Sequence, residues 1–255
     1  MASSRSKRTS PRAASAPGKG PAKAALPQAR SNRGSVPAAF FDVDKTIISQ
    51  NSGTLFLKYL YEQGRATRMD LVKGLGTYLQ YKVNLLNIDK FTKQTVRTLK
   101  GQSETEMVAF CKRWYEEVVR SYIYPEARAL IERHLADGLT VALVTGATRY
   151  VAEPLAWDLK IEHIICTSLE VRRGLFTGRV VDPICFGEGK IQRLQDFVKE
   201  KRVDLARSYF YTDSISDLPL LEVVGHPQVV NPDPLLYRRA TRRKWPVTMF
   251  KSSWE

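Results

Sequence analysis

An α/β fold is what this sequence predicts: a doubly wound, mainly parallel sheet with a helical cap inserted after its first strand. Three observations carry that expectation. Short apolar runs at Ala38–Phe41, 140–144 and 208–212 each break off into polar residues, the pattern of strands buried on both faces. Helical spacing fills the later intervals, and strands that alternate with helices pair in parallel. Between the first two runs lies a long stretch, residues 51–121, with helical periodicity and no strand signal.

The chain opens on a basic segment without an acid. Arg5, Lys7, Arg8, Arg12, Lys19, Lys23, Arg30 and Arg33 all precede residue 37 and carry over half of the +14 formal charge of the 255 residues. Rich in Ser, Ala, Pro and Gly, residues 1–36 cannot bury enough surface to offset chain entropy and are expected to be disordered. A solvated extension is the simplest reading, with weak polyanion binding or organellar targeting as the others. Residues 37–50 and 122–255 then make the α/β core around the cap at 51–121.

In the cap, Leu55, Phe56, Tyr59 and Leu60, then Met107, Val108, Cys111, Trp114, Tyr115 and Val118, follow the spacing of amphipathic helices. The Tyr- and Leu-rich residues 74–86 suit a membrane-facing or substrate-facing patch, but packing inside a helical bundle is the expected role. Pro125–Ala136 reads as a helix, with Pro125 at its start and Gly138 as its stop. Residues 140–144 form the second strand, Thr145-Gly146-Ala147-Thr148 the turn, and 149–160 a helix. A third apolar run at 163–166 leads to 169–180, whose Arg172-Arg173-Gly174 centre suggests a hairpin hanging off the sheet. Gly187-Glu188-Gly189-Lys190 precedes a helix over 191–201. The strand at 208–212 ends in Asp213-Ser214-Ile215-Ser216-Asp217, and a short helix, a strand at 228–230, a basic helix at 235–244 and an edge strand at 247–250 complete the chain.

Several classes are excluded. No stretch reaches the ~18–20 apolar residues of a membrane span, and the start lacks the apolar core of a secretory signal. Cys111, Cys166 and Cys185 are odd in number and widely spaced, so neither a disulfide framework nor a zinc site is indicated. A soluble protein of a reducing, cytoplasmic compartment is expected. His134, His163 and His226 are scattered and are expected at the surface or behind a site.

The chemistry concentrates at strand ends. Asp42 and Asp44 project to the same side of an extended chain, and two such carboxylates repel unless a cation or proton lies between them. A divalent metal is the economical explanation. Thr145, then Asp213 and Asp217, finish two further strands, and Lys190 stands at a helix start where an anion is favoured. Ligands of open α/β sheets bind along this rim.

These segments, in this order, resemble the motifs of the haloacid dehalogenase superfamily, in its phosphoserine-phosphatase-like branch with a helical cap. Phe40-Phe41-Asp42-Val43-Asp44-Lys45-Thr46 matches its DxDxT signature, Thr145 its second motif, Lys190 its third, and Asp213 to Asp217 the DxxxD of its fourth. The resemblance implies a phosphoric monoester hydrolase that uses Mg²⁺, with Asp42, Asp44, Asp213 and Asp217 at the metal, Asp217 either supporting the ion or tethering Lys190. Asp42 would attack phosphorus to give an aspartyl-phosphate, and Asp44 would protonate the leaving oxygen and then activate water. Lys190 would offset charge in the transition state, while Thr145 and Gly146 would hold a phosphoryl oxygen.

Asp44-Lys45-Thr46 is also similar to the phosphorylated segment of ion-pumping ATPases, but Ile47-Ile48 replaces the Gly-Thr that this likeness requires. Dehalogenation is disfavoured by Asp44 itself, a second acid that halide displacement does not need. Phosphoserine phosphatases carry a Glu nine residues after the nucleophile, where this chain has Asn51, and Arg97 is the nearest candidate for their carboxylate-binding arginine. The expected substrate is therefore a small phosphomonoester, with phosphoserine itself or a phospholipid head group as alternatives. No nucleic-acid partner is expected beyond weak electrostatics of the tail. The reading from another class is a polyanion- or membrane-binding protein with a degenerate phosphatase fold.

Overall fold

A computed structural model describes residues 34–82 and 87–251. Its strands are β1 (Ala38–Phe41), β2 (Thr140–Thr148), β3 (His163–Arg172), β4 (Leu175–Val181), β5 (Tyr209–Thr212), β6 (His226–Val230) and β7 (Val247–Thr248), joined in one sheet in the order β4-β3-β2-β1-β5-β6-β7. Every neighbouring pair is parallel except β3 with β4. The doubly wound, mainly parallel sheet expected from the sequence is the sheet observed.

Helices α1 (Ser52–Glu62), α2 (Arg68–Lys82), α3 (Ile88–Arg97) and α4 (Glu104–Glu117) follow β1 in the chain, and α5 (Pro125–Ala136) leads into β2. Later connections carry α6 (Arg149–Asp158), α7 (Glu188–Glu200), α8 (Leu218–Leu221) and α9 (Pro234–Arg243). Successive residues of a strand point to opposite faces, and in β1 this splits the core in two. Ala39 and Phe41 enter a cluster with Ile131 of α5, Leu155 of α6, and Tyr59 and Trp114 of the helical block. Ala38 and Phe40 enter another with Ile191 and Leu194 of α7 and Leu236 of α9. Both phenylalanines are fully buried, each worth about 1.5–3 kcal/mol of transfer free energy.

The chain leaves for the helical block and returns from it at one place. Ile48 bridges Ile123, the Ser49 amide donates to the Tyr122 carbonyl at 2.8 Å, and the Tyr124 amide donates to the Ile47 carbonyl at 2.9 Å.

Some expectations need correction. The tail was expected to reach residue 36, but Val36 pairs with Val203 through hydrogen bonds to Arg202 and Asp204; residues 1–33 lie outside those described. The hairpin does not hang off the sheet. Arg173 and Gly174 both have positive φ (53° and 75°), the backbone of a tight two-residue turn, and it folds β4 back as the edge strand. β2 runs on past Val144 to Thr148, because β3 pairs with it across a register shift between Thr145 and Thr148. His134 is buried rather than at the surface. In the stretch 74–86, residues 83–86 lie outside those described, while Leu75 and Leu79 are 61% and 55% exposed rather than packed in a bundle. Among the described residues no helix is long and apolar enough to cross a membrane.

Candidate active site

Register brings the polar strand ends together. Phe41 pairs with Leu143 of β2 and with Tyr211 of β5, so Asp42 and Asp213, just past β1 and β5, and Thr145, within β2, stand on three adjacent strands one or two residues beyond a common level. The Asp42 amide still donates to the Tyr211 carbonyl at 2.9 Å, which fixes the backbone of Asp42 to the sheet. The chain then turns sharply. Lys45 has φ 55°, and the Val43 carbonyl accepts from the amides of Thr46, Ile47 and Ile48.

Asp42 projects to the same face as Phe40, the face covered by α7. There Lys190 donates from Nζ to Asp42 Oδ1 at 2.7 Å and to Asp217 Oδ2 at 2.8 Å. The lysine is 3% exposed. It reaches this depth because α7 starts earlier than expected, at Glu188, so that Lys190 lies inside the first turn. Two glycines permit that start. Gly187 has φ 52°, and a Cβ on Gly189 would sit 1.9 Å from the Ile184 carbonyl oxygen; only glycine fits so close an approach. Thr212 Oγ1 donates to the same Asp217 oxygen at 2.7 Å, leaving Asp217 Oδ1 buried without a hydrogen bond.

Asp44 is held differently. Its Oδ2 accepts from Asn51 Nδ2 at 2.8 Å and its Oδ1 from the Ser52 amide at 2.9 Å, so both oxygens are engaged at the N-terminus of α1. The other end of the Asn51 amide accepts from the Thr54 amide at 3.0 Å as the N-cap of that helix. Thr145 Oγ1 accepts from the Ala147 amide at 3.2 Å, and the Gly146 carbonyl accepts from Thr167 Oγ1 at 2.9 Å. Asp213 presents its backbone carbonyl to the Asp233 amide at 2.8 Å, and Asp233 Oδ2 accepts from the Ile215 amide at 2.7 Å.

The electrostatics follow from burial. Desolvation pushes the Asp42 carboxyl up to about 7 against the pull of Lys190, with Asp217 and Asp44 adding to the rise. Burial, then the charges of Asp42 and Asp217, raise Asp213 well above the usual carboxylate range. Asp44 is raised by burial, with the Ser52 hydrogen bond opposing. Burial disfavours the Lys190 ammonium, yet Asp217 and Asp42 outweigh it and hold the lysine charged. Four carboxylates thus face two ammonium groups, Lys190 between Asp42 and Asp217 and Lys45 acting on Asp44 and Asp213, a deficit of positive charge that a hard dication with oxygen ligands would fill. Among the described residues no three His, Cys, Asp or Glu side chains close into a metal cage.

Sequence reasoning found the acids and the lysine but missed their supports. Thr212 and Asp233 gave no separate signal. The holding role of Asn51 and Ser52 was missed too, although Asn-Ser ahead of a helical run is a cap signal.

The family described as haloacid dehalogenase-like hydrolase matches residues 39–222. A Mycobacterium tuberculosis protein named "Probable phosphatase" is 34% identical over 84% of this chain and 75% of its own length. A histidinol-phosphatase of Neisseria meningitidis is 32% identical over 84% and 98%, and a phosphoserine phosphatase of M. tuberculosis is 31% identical over 84% and 71%. Among solved structures, a Bordetella pertussis protein of unknown function superposes with a TM-score of 0.77 at 30% identity, covering 84% of this chain and 98% of that one. A phosphoserine phosphatase solved as a phospho-aspartyl intermediate analogue gives 0.63 at 15% identity over 86% and 96%, a likeness of fold.

Proposed function

This chain belongs to the haloacid dehalogenase-like hydrolases and is a phosphoric monoester hydrolase, and from that premise we propose that it releases phosphate from a small phosphomonoester through an aspartyl-phosphate on Asp42. The observation that carries the reading is the buried Asp42–Lys190–Asp217 array at 2.7 and 2.8 Å. It holds a nucleophilic carboxylate still and keeps a permanent cation beside it.

Asp42 attacks phosphorus and the alkoxide departs, splitting one difficult displacement into two. Asp44, presented by Asn51 and the first turn of α1, gives its proton to the leaving oxygen and later takes one from the attacking water. Lys190 offsets charge on the pentacoordinate phosphorus, a contribution of about 3 kcal/mol for groups of this kind. Asp217 serves as its tether. Thr145 and the Gly146 amide hold a phosphoryl oxygen. Mg²⁺ bound through Asp42, Asp213 and the Asp44 carbonyl would neutralise charge on the phosphoryl group. Helices α1 to α4 serve as the cap that chooses the substrate. Asn51 is uncharged and both ends of its amide are engaged, so a substrate ammonium would find no partner there. Buried, unpaired Cys111, Cys166 and Cys185 suit a reducing cytoplasm.

Phosphate release from histidinol phosphate, phosphoserine and glycerol 3-phosphate tests this reading. Turnover is expected to require Mg²⁺, to stop with chelator, and to fall at least about 10³-fold in Asp42→Asn. Undiminished turnover by that variant would refute the mechanism.

A further inference from the structure

Thr167 lies in the middle of β3 and is fully buried, and its hydroxyl is engaged on both sides by segments that carry the site. It donates to the Gly146 carbonyl at 2.9 Å and accepts from the Cys185 amide at 3.2 Å. A threonine hydroxyl commonly satisfies itself on neighbouring backbone; these partners are 21 and 18 residues away in the chain. The need for such a residue arises in β2. Its pairing with β3 shifts between Thr145 and Thr148, and a shift of this kind leaves backbone groups without their ladder partners. Thr167, opposite Thr148, supplies one to Gly146.

The carbonyl and amide of a trans peptide point in opposite directions. Fixing the Gly146 carbonyl on Thr167 therefore aims the Ala147 amide the other way, onto Thr145 Oγ1 at 3.2 Å. With that lone pair occupied by an incoming N–H, the Thr145 hydroxyl keeps its hydrogen for an outside acceptor. On the other side, Cys185 belongs to the segment that brings Lys190 into α7. Arg193 of that helix closes back on it, donating to the Pro183 carbonyl at 2.5 Å and to Oγ of Ser168, the neighbour of Thr167, at 3.1 Å.

We propose that Thr167 is a positioning residue: its hydroxyl sets the Gly146–Ala147 peptide, and with it the Thr145 hydroxyl, to donate to a phosphoryl oxygen in register with Lys190. Fully buried, it acts through that turn rather than on the ester. The inference rests on the reaction proposed above and adds a residue that none of its motifs contains. Lys190 is held independently by Asp42 and Asp217, so loss of the Thr167 hydroxyl falls on the Thr145 side. Gly146 is exposed, and its peptide, released from Thr167, would turn to water.

Turnover of p-nitrophenyl phosphate by the full chain with Mg²⁺, and its inhibition by orthovanadate as a mimic of pentacoordinate phosphorus, test the proposal. Thr167→Val keeps the shape and removes the hydroxyl. Its kcat/KM is expected to fall at least about tenfold, mostly in kcat, and its vanadate inhibition constant to rise by a similar factor. Thr167→Ser restores the hydroxyl and is expected to stay within about threefold of the wild type on both counts. Where Thr167→Val does not fold, Thr167→Cys, whose thiol is a poor donor, is measured in its place. A threonine needed only for folding would lower the melting temperature of Thr167→Val and leave kcat and vanadate inhibition of the folded protein at wild-type values, which would overturn the proposal. So would equal impairment of Thr167→Ser and Thr167→Val, which would assign the effect to packing. An inert Asp42→Asn beside an unimpaired Thr167→Val refutes this inference alone, whereas an active Asp42→Asn refutes the aspartyl-phosphate reading and this inference with it.

Discussion

Lys190 shows how much one side chain can organise: its ammonium serves two carboxylates that would otherwise be buried without a counter-charge. Its place at a helix start was readable in the sequence. Which of two roles Asp217 takes, metal support or tether of Lys190, was not, because its contacts depend on Thr212 and on a glycine-permitted approach between segments distant in the chain. His134 gives the clearest pH prediction at this scale. It is buried among Phe41, Tyr209 and Tyr211, with Nε2 2.8 Å from the Tyr211 hydroxyl, and burial lowers its pKa. The folded state therefore resists protonation that the unfolded chain accepts below about 6.5. Stability from this residue is full above that value and is lost as pH falls through the folded pKa. Urea midpoints from about pH 7.5 to 5.5 should drop more steeply for the wild type than for His134→Gln; parallel slopes would disprove the assignment.

Among the elements, α4, α5 and α6 are joined by Asp158 at the end of α6. Its carboxylate accepts from Tyr115 Oη at 2.7 Å, Arg128 at 2.7 Å and Arg120 at 2.9 Å. Despite burial, these partners hold its pKa below the usual range. Removing it leaves the buried Tyr115 hydroxyl unpaired and returns two partly exposed guanidinium groups to water. Asp158→Ala is expected to cost about 2 kcal/mol and Tyr115→Phe about 1 kcal/mol in denaturant unfolding, and equal losses would show that the tyrosine alone matters. Helices were legible because their signals are local, as with the apolar spacing from Met107 to Val118 in α4 and Pro125 at the head of α5. Strand limits were not. The extent of β2 and the place of β4 are set by β3, a partner that local sequence does not name.

Across the whole molecule, the fold was readable from alternation, and the site from the fact that parallel strands deliver their ends to one rim. What could not be read was the balance of charge, which is a sum over segments far apart in the chain. The like charges around Asp213 destabilise the metal-free fold and make it responsive to a bound cation. Mg²⁺ at about 100 times its dissociation constant should add about 2.7 kcal/mol. Asp213→Asn should melt higher than the wild type in chelator, where repulsion is relieved, yet gain little when Mg²⁺ is added. Thermal melts with and without the ion check both signs, and an undiminished gain in the variant would remove Asp213 from the binding set.

The bridge between Ile48 and Ile123 has a mechanical corollary. Departure and return are fastened side by side, so the termini of the four-helix segment are neighbours, and the segment is pinned a second time where Gly101 and Gln102 bond to Phe176 and Ser103 bridges Leu175 of β4. A segment of another shape could enter and leave at the same place. It would still have to supply a partner for the β4 edge and cover for Phe41 in place of Tyr59 and Trp114.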